Sequence, residues 1–526
     1  MQSIIHRDSD PPRVEFPAPY NAAHDLLSRN QAWPSKPAYV QGDTGQSLSY
    51  AELERQARCW AAALQAQGFE PEQRVLLAMH DTLEWPVAFL GCILAGVVPI
   101  AVNTLLTGKD FEFMLRDSRA KGLIASTALL PQFAPLLDGR LPALKKVYAG
   151  QGGDAMGHPR LGELIAAQPP LAQPVETRAD DACFWLYSSG STGSPKGTVH
   201  LHSHLMPTAI LYAQQILGIR HDGVVFSAAK LFFAYGLGNA LTFPLSVGAT
   251  TVLWPGRPVP EEVFGVLKRH RPSIFYGVPT LYASLLAHPQ RPNANELALR
   301  VCTSAGEALP AEIGHHWQKA FGCEILDGIG STEMLHIFLS NRPGQVRYGT
   351  TGQAVPGYEL RLIDDEGREC AVGELGELQI KGPSAALLYW GNRAKTKATF
   401  CGEWTRSGDK YSCDADGYYT YGGRSDDMLK VGGIYVSPFE VEASLMTHPA
   451  VLEAAVIGVA DEEGLIKPKA YVVLKAGQQA SLDDLKGHVK SQLAPYKYPR
   501  WIEIIDELPK TATGKIQRFK LRAARS

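Results

Sequence analysis

The chain has 526 residues, of which 45% are hydrophobic, so it can bury a large core and divide into more than one domain. Its formal net charge of −2 argues against a polyanion such as nucleic acid as the main partner. The eight cysteines form no C-x-x-C pair or other metal-ligand spacing, which favours reduced thiols in a cytoplasmic protein over a disulfide framework or a structural metal site.

The N-terminus lacks the basic-then-apolar order of a secretory signal peptide, because acidic residues and two prolines fall within its first twelve positions. The run Trp85–Val102 is uncharged and long enough to be tested as a membrane span. Gly91, Gly96 and Pro99 interrupt this run, so we interpret it as part of a βαβ unit and not as a membrane span. The predicted elements of the unit are a strand at Arg74–His80, a helix at Leu83–Leu94 and a strand at Val97–Val102.

From residue 74 to about 330, short apolar or β-branched runs alternate with longer helical patterns. This alternation predicts largely parallel sheets covered by helices, with ligands at the carboxyl ends of the strands, where turns are predicted at Ser304–Leu309 and Gly328–Glu333. Between about 348 and 421, short strands with glycine turns predict a small β subdomain. The predicted strands are Gly122–Ala125, Lys145–Tyr148, Ala182–Tyr187, Val224–Ser227, Ala249–Leu253, Ser273–Tyr276, Arg300–Ser304, Glu324–Gly328, Tyr358–Ile363 and Gly376–Ile380.

The composition changes after Arg424, and between Lys467 and Ser526 there are 13 Lys or Arg against 5 Asp or Glu. This change predicts a separate α+β domain over residues 426–526, with helices at Pro438–Thr447 and Leu482–Leu493. The predicted fold class is therefore α/β. A large N-terminal domain over residues 1–425, built from helix-covered, largely parallel sheets and the β subdomain, precedes a small α+β C-terminal domain.

One loop combines glycines, hydroxyl residues and a lysine directly after the predicted strand that ends at Tyr187. Backbone N–H groups and hydroxyls in such a loop can converge on one phosphate, and the lysine adds positive charge. A Walker A loop is excluded because Gly197 follows the lysine where Ser or Thr is required, and the flanking strands disfavour a flexible linker. The residues predicted to bind phosphate are Ser188, Ser189, Gly190, Ser191, Thr192, Gly193 and Lys196.

This loop resembles the phosphate-binding signature of the acyl-adenylate-forming superfamily, which includes acyl- and aryl-CoA ligases, firefly luciferase and the adenylation domains of peptide synthetases. Four further motifs follow in the family's order, so the resemblance covers essentially the whole chain. It implies that a carboxylic acid attacks the α-phosphate of ATP in the presence of Mg²⁺. It also implies a mobile C-terminal domain that rotates about a hinge at Asp426, after which coenzyme A displaces AMP.

The family's nucleotide-binding and catalytic residues can be assigned to matching positions. Thr332 and Glu333 match the Thr-Glu motif, in which Thr contacts the α-phosphate and Glu holds Mg²⁺. Lys515, in a Thr-Gly-Lys sequence, matches the mobile catalytic lysine, whose charge would stabilise the transition state, and Lys510 is the weaker candidate. The adenine-binding residues implied are Gly306, Glu307, Ala308, Asp327, Gly328 and Ile329, and the ribose-binding residues are Asp409 and Arg424.

The acceptor and acid sites follow from the same resemblance. Gly432, Gly433 and Tyr435 match the loop that faces the thiol, where glycines leave room for a pantetheine arm. Ala234 stands where amino-acid-activating relatives place an Asp, so amino-acid activation is disfavoured. An aromatic and aliphatic lining without a fixed charge suits a flat apolar carboxylic acid. The residues predicted to line this acyl pocket are Phe233, Ala234, Tyr235, Ala305, Gly330, Leu335, His336 and Ile337.

The local sequences around Phe233 and His336 are most similar to those of benzoate–CoA ligases, which implies ligation of benzoate to coenzyme A. The alternatives within the family are a hydroxy-, amino- or halobenzoate or a medium-chain acid as substrate. Alternatives of other classes are an adenylating enzyme that loads a carrier protein or emits light, and a non-catalytic nucleotide-binding module. His336 is either a polar contact for a ring substituent or a packed histidine. A homodimer is one alternative for the assembly.

Overall fold

The structure, a computed structural model, describes residues 1–188, 195–424, 428–431, 434–461, 466–493, 497–510 and 516–523. The side chains at positions 430, 434, 435, 519 and 523 also lie outside the described part. In chain order, the described strands are β1 Ile4–His6, β2 Arg13–Glu15, β3 Pro37–Gln41, β4 Ser47–Ser49, β5 Arg74–Ala78, β6 Val98–Ala101, β7 Gly122–Ala125, β8 Lys146–Ala149, β9 Ala182–Ser188, β10 Lys196–Leu201, β11 Val224–Ser227, β12 Thr250–Leu253, β13 Ile274–Gly277, β14 Val301–Ser304, β15 Ile325–Gly330, β16 Ile337–Ser340, β17 Gln353–Ala354, β18 Glu359–Ile363, β19 Gly376–Lys381, β20 Leu388–Tyr389, β21 Phe400–Cys401, β22 Trp404–Cys413, β23 Tyr419–Arg424, β24 Leu429–Val431, β25 Ile434–Val436, β26 Val451–Ala460, β27 Ile466–Leu474 and β28 Trp501–Ile504.

The helices include two short π-helical segments, Ala209–Gln214 and Gly238–Thr242, each of which directly follows a short α-helix. Among the described residues, no helix combines the length and apolar character that crossing a membrane requires. The α-helices are α1 Ala22–Ser28, α2 Tyr50–Ala66, α3 Glu84–Leu94, α4 Gly108–Ser118, α5 Leu130–Phe133, α6 Leu161–Ala166, α7 Leu205–Thr208, α8 Ala234–Leu237, α9 Phe243–Val247, α10 Pro260–His270, α11 Pro279–Ala287, α12 Ala311–Phe321, α13 Arg393–Thr399, α14 Pro438–Met446, α15 Leu482–Gln492 and α16 Arg518–Ala523.

Two large sheets form the body of the N-terminal domain. The first has the strand order β20-β10-β9-β6-β5-β7-β8, and the second has the order β17-β16-β15-β14-β13-β11-β12-β3-β4. The central strands of both sheets are parallel, whereas β10 and β20 at one edge of the first sheet, and β16, β17 and β4 at the edges of the second, pair antiparallel. The prediction of an α/β fold with largely parallel sheets is therefore confirmed.

The main core lies between the two sheets. Alternate residues of β5 face opposite ways, so that Leu77 packs with helices α2 and α3 while Leu76 packs in a second cluster with α4 and α5. Leu253 of the second sheet belongs to the same cluster as Leu77. Helix α2 begins at a capping box, in which the Ser49 hydroxyl accepts from the Glu52 N–H and the Glu52 carboxylate accepts from the Ser49 N–H.

The predicted βαβ unit is confirmed, because β5 and β6 are parallel and α3 connects them. Predicted strands and helices agree with the structure to within two residues at each end. One expectation was wrong in its detail: the turn predicted at Gly328 begins later, since β15 continues to Gly330. Antiparallel pairing of Gly328 with Ser340 of β16 extends the strand beyond the point at which its parallel neighbour β14 ends.

A small antiparallel sheet follows, with the order β18-β19-β22-β21 and with β23 paired to β22. The C-terminal domain contains the hairpin β24–β25 and a three-stranded sheet, β26-β27-β28, on which α14 and α15 pack in one apolar cluster. The boundary at residue 426 and the extent of the β subdomain stay predictions. The hinge candidate Asp426 lies outside the described residues, and β23 ends just before it at Arg424.

The contact between α2 and α3 depends on a glycine. A Cβ at Gly91 would lie 2.6 Å from Trp60 Cδ1 and 2.7 Å from the Ala57 carbonyl oxygen, so the two helices could not keep their present separation. We expect Gly91→Ala to lower the free energy of unfolding by about 1–3 kcal/mol, because it overpacks a buried contact between two helices. The midpoint of urea unfolding, followed by tryptophan fluorescence, measures the effect.

A matched control exists in helix α10, where a Cβ added at Gly265 would have no neighbouring atom within 4 Å. Gly265→Ala removes a helix-interior glycine without a collision, so we expect a neutral or slightly higher urea midpoint, corresponding to at most about 1 kcal/mol. Equal midpoints for the two variants would contradict the packing argument.

Candidate active site

The predicted phosphate loop connects two antiparallel strands, β9 and β10. Ser188, the last residue of β9, pairs with Lys196, the first residue of β10, and the Thr198 hydroxyl lies 3.5 Å from the Ser188 hydroxyl. The residues between them that were predicted to bind phosphate, Ser189, Gly190, Ser191, Thr192 and Gly193, lie outside the described part. The hairpin fixes both ends of this loop at one edge of the first sheet.

Lys196 lies against the predicted magnesium ligand. Its Nζ is 3.8 Å from Glu333 Oε1 and 4.4 Å from the centre of the Tyr389 ring. The Tyr389 hydroxyl donates to Glu333 Oε1 at 2.7 Å. Burial lowers the pKa of Lys196, the Glu333 carboxylate partly offsets this change, and the charges of Lys395 and Arg424 lower the pKa further. The loop lysine and the Thr-Glu motif, which are distant in the sequence, therefore form one cluster.

Thr332 is held in place by a buried histidine. His200 Nε2 lies 2.8 Å from the Thr332 carbonyl oxygen and must donate to it, because a carbonyl can only accept. The His200 ring stacks on Phe184 at 5.2 Å, and burial lowers its pKa to about 4. A neutral imidazole thus fixes the backbone of the predicted α-phosphate ligand.

The predicted adenine-binding residues come from neighbouring parallel strands. Ser304 at the end of β14 pairs with Asp327 of β15, so the turn after Ser304 and the Asp327 carboxyl share one sheet edge. Burial raises the pKa of Asp327 well above its ordinary value, although backbone N–H groups of Leu309 and Gly328 oppose this rise. Gly306 is exposed, Gly328 is buried, and the remaining members of the set, Glu307, Ala308 and Ile329, are half-buried or buried.

The predicted ribose-binding residues are direct neighbours. Asp409 of β22 pairs with Arg424 of β23, and Arg424 Nη1 lies 3.3 Å from Asp409 Oδ1. The Tyr421 hydroxyl donates to the same oxygen at 3.4 Å. Burial raises the pKa of Tyr411, and the charges of Asp409 and, to a smaller extent, Asp327 add to this rise. The charge of Arg424 lowers the pKa of Lys196, so the ribose pair lies within electrostatic range of the Lys196 cluster.

The residues predicted to line the acyl pocket lie in and around the segment that follows Glu333. Phe233, Ala234 and Leu335 share one buried cluster, and Tyr235, Ala305 and Ile337 belong to the adjoining one. Leu335 has a positive φ of 65°, and the His336 N–H donates to the Met334 carbonyl at 2.8 Å, which makes a tight turn. This turn directs the chain from the Thr-Glu motif into the pocket wall, where the half-buried Gly330 also lies.

His336 joins the two walls of the pocket. Its Nε2 lies 3.1 Å from Asn239 Oδ1 and 3.2 Å from the Tyr235 carbonyl oxygen, so Nε2 carries the proton and donates. Its Nδ1 is buried without a hydrogen-bond partner among the described residues. Burial lowers the pKa of His336 to about 3. A methyl group at Gly238 would collide with this ring, so the glycine is required for the close approach.

The C-terminal domain reaches the adenine turn. The Ile516 N–H donates to Glu307 Oε1 at 3.0 Å. Lys515, the residue before it, lies outside the described part, as do Asp426, Gly432 and Gly433, and the side chain of Tyr435 is not described either. The weaker candidate, Lys510, instead forms an ion pair with Glu453 Oε1 at 2.6 Å, inside the C-terminal domain.

Three residues of the site were missed in the sequence. Tyr389 contacts Lys196 and Glu333, His200 contacts Thr332, and Asn239 contacts His336. No motif marks any of them. Only His200 had a signal in the sequence, the pair of histidines at positions 200 and 202, where β10 ends. A histidine in an apolar strand indicates a hydrogen-bond partner, because buried polar groups are rarely left unpaired.

The site brings together the lysine predicted to bind phosphate, the Thr-Glu pair, the predicted adenine turn and the predicted ribose acid at the ends of two α/β sheets, with the residues predicted to line an acid pocket beside them. This arrangement is the one expected of a nucleotide-binding enzyme. The chain belongs to the AMP-binding enzyme family: that family matches residues 27–390, and the AMP-binding enzyme C-terminal domain matches residues 440–515.

Several relatives match this chain along nearly its whole length. A benzoate–CoA ligase from Thauera aromatica is 59% identical over 99% of this chain and 99% of its own length. A 4-hydroxybenzoate–CoA/benzoate–CoA ligase from Rhodopseudomonas palustris is 49% identical over 96% of this chain and 94% of its own. The crystal structure of a benzoate CoA ligase from Burkholderia xenovorans LB400 superposes with a TM-score of 0.90 and 55% identity, covering 96% of this chain and 100% of that one.

The buried neutral His336 predicts a loss of stability in acid. Its pKa falls from the ordinary 6.5 to about 3 on folding, so below pH 6.5 the unfolded chain binds the proton first. The folded state should lose about 1.4 kcal/mol for each pH unit below 6.5, or about 2 kcal/mol by about pH 5. We expect urea midpoints of the wild type to fall between neutral pH and this acidic pH more steeply than those of His336→Gln.

The matched control is His316→Gln, because the His316 side chain is 68% exposed. Its pH dependence should equal that of the wild type. Parallel curves for His336→Gln and the wild type would show that His336 is not held neutral by the fold.

Proposed function

We propose that the protein is an ATP-dependent benzoate–CoA ligase that forms benzoyl-AMP and then benzoyl-CoA. The observation that carries this proposal is that none of the residues predicted to line the acyl pocket carries a charge, and that their segment from Leu335 to Ile337 directly follows the Lys196–Glu333 cluster. The likeness to the ligases from Thauera aromatica and Burkholderia xenovorans LB400 supports benzoate as the acid.

The first step forms one bond and breaks another. A benzoate oxygen attacks the α-phosphorus of ATP, the bond to the bridging oxygen of the β-phosphate breaks, and pyrophosphate leaves with benzoyl-AMP remaining. Thr332, oriented by His200, would donate its hydroxyl to an α-phosphate oxygen, and Lys196 would bind the leaving phosphates. Lys515 would supply positive charge to the carboxylate and the α-phosphate.

The second step transfers the acyl group. The thiol sulfur of coenzyme A attacks the carbonyl carbon of benzoyl-AMP, the thiol proton passes to solvent, and the bond to AMP breaks. We propose that the C-terminal domain rotates about Asp426 between the two steps. Gly432, Gly433 and Tyr435 would then face the pantetheine arm, because the two glycines, without side chains, leave space for it.

Glu333 is the proposed magnesium ligand. No cluster of three or more metal-ligating side chains exists among the residues that the structure describes. A single carboxylate is what Mg²⁺ uses when substrate phosphates and water supply its other ligands, so the residues fit this ion. When bound, Mg²⁺ would neutralise phosphate charge. Tyr389 orients the Glu333 carboxylate by donating to Oε1 at 2.7 Å.

We further propose a cytoplasmic location, because the enzyme would need ATP and coenzyme A and the described cysteines form no disulfide. A homodimer stays a prediction.

A second candidate function, ligation of a hydroxybenzoate, is favoured by one observation: His336 Nδ1 is a buried acceptor without a partner among the described residues, and a ring hydroxyl could donate to it.

A panel of acids tests the substrate. We expect benzoate to give a higher kcat/KM than hydroxy-, amino- and halobenzoates and medium-chain acids in acid-dependent ATP–pyrophosphate exchange, because the pocket lining is apolar. Benzoyl-CoA release with free coenzyme A is measured in parallel. A hydroxybenzoate at the top of the series would favour the second candidate, and exchange without thioester release would point to a carrier protein as the acceptor.

Lys515→Ala tests the catalytic assignment. We expect it to lower benzoate-dependent exchange by at least about 100-fold, because positive charge at the transition state is lost, while thioester formation from supplied benzoyl-AMP is retained. Lys520→Ala is the matched control, since Lys520 is an exposed lysine in the same domain. Equal loss of both half-reactions in Lys515→Ala would contradict the role.

A further inference from the structure

The adenine turn and the C-terminal domain are joined by a hydrogen bond that the sequence motifs do not explain. Glu307 Oε1 accepts from the Ile516 N–H at 3.0 Å, although the two residues are 209 positions apart. The donor is a main-chain group, so the contact fixes the path of the backbone. Because Ile516 directly follows Lys515, this carboxylate acts on the segment that carries the proposed catalytic lysine.

The residues that flank this lysine segment are tied to each other. Lys510 forms an isolated β-bridge with Ile516, and the Gln517 N–H donates to the Pro509 carbonyl at 2.7 Å. Lys510 also forms an ion pair with Glu453, in β26 of the C-terminal domain. Lys510 and Ile516, which stand on either side of residues 511–515, are therefore both fixed to the C-terminal domain. A bond that holds Ile516 also holds Lys510 in position.

A buried ion pair makes the following residues part of the domain core. Arg518 Nη2 contacts both carboxylate oxygens of Glu442, at 2.9 and 2.8 Å, and the two side chains are 10% and 7% exposed. Glu442 Oε1 also accepts from the Val456 N–H at 2.6 Å. The segment that begins at Ile516 is thus anchored in the core of the C-terminal domain. A bond that fixes Ile516 therefore also fixes the orientation of that domain.

The two domains also meet near the proposed hinge. Phe439 of α14 packs edge-on against Tyr421 of β23 with ring centres 4.6 Å apart. Tyr421 lies in β23, only a few residues before the hinge candidate, so this contact joins the domains beside the hinge. The Glu307–Ile516 bond is remote from the hinge in sequence and depends directly on the orientation of the domain.

We propose that Glu307 is a positioning residue, which docks the Ile516 backbone onto the adenine turn in the orientation that adenylates the acid. The proposal rests on the two-step function given above. Because the carboxylate would accept this bond only in one orientation, the bond stabilises the first half-reaction and contributes nothing to the second. Glu307 would then act through Lys515 and not by contact with the reacting atoms.

The test compares Glu307→Ala with Glu307→Gln, whose amide oxygen can still accept from the Ile516 N–H. Glu312→Ala is the matched control, because the Glu312 side chain is 54% exposed and lies in the first turn of the next helix. Three quantities are measured on the full chain: benzoate-dependent ATP–pyrophosphate exchange, thioester formation from supplied benzoyl-AMP, and hydrogen exchange of the peptide that contains the Ile516 amide.

For Glu307→Ala we expect kcat of ATP–pyrophosphate exchange to fall about tenfold, while KM for ATP changes less than threefold. The rate of thioester formation should stay within twofold of the wild type, and hydrogen exchange of the Ile516 amide should become faster. Glu307→Gln should recover most of the lost rate, and Glu312→Ala should match the wild type. Equal loss in both half-reactions, a change confined to KM for ATP, or an unchanged Ile516 amide would each overturn the proposal.

Failure of the proposed function has a different signature. If the wild type shows no exchange with any acid of the panel, the ligase function is wrong, whereas hydrogen exchange at Ile516 in Glu307→Ala still decides whether this carboxylate docks the domain.

Discussion

The interaction on which the site depends is the contact of Lys196 with Glu333, supported by the Tyr389 hydroxyl. These residues come from β10, from the segment after β15 and from β20, so the contact connects the two large sheets at the edge where the ligand site is predicted. Opposite charges at 3.8 Å keep the half-buried lysine charged against the cost of burial, which lowers its pKa. The phosphate contact predicted for Lys196 requires this charge, and the carboxylate that preserves it is the predicted ligand of the divalent cation.

Strand topology explains why the rest of the site assembles around this contact. Parallel strands β14 and β15 place Ser304 and Asp327 side by side, and the antiparallel pair β22–β23 places Asp409 opposite Arg424. Each pair is fixed by backbone register and needs no long side chain to find its partner. Residues from distant parts of the sequence therefore meet because strands end at a common edge, as expected for α/β sheets.

Strand and helix positions were predictable because apolar periodicity decides them: Trp85–Val102 was correctly assigned to a buried helix and strand because its glycines and proline interrupt it. Motif residues such as Glu333 and Asp409 are assigned by resemblance, and the structure places each beside another residue of the predicted site, Lys196 and Arg424. Tyr389 and Asn239 were not, because their importance arises only from contacts across long sequence separations. The extension of β15 to Gly330 was missed for a similar reason, since an antiparallel partner determined it.

The neutral state of the buried histidines bears on how an acid would be oriented. Burial lowers the pKa of both His200 and His336, so neither ring adds a positive charge at neutral pH. A charged His336 would attract a carboxylate into the apolar end of the pocket. With that ring neutral, the predicted lining of the acid pocket carries no charge, while Lys196 and Glu333 pair with each other before the pocket segment begins at Leu335. For the proposed ligase, an uncharged aromatic ring would therefore enter this lining without desolvating a charge, whereas a charged ring substituent would find no group there to pair with.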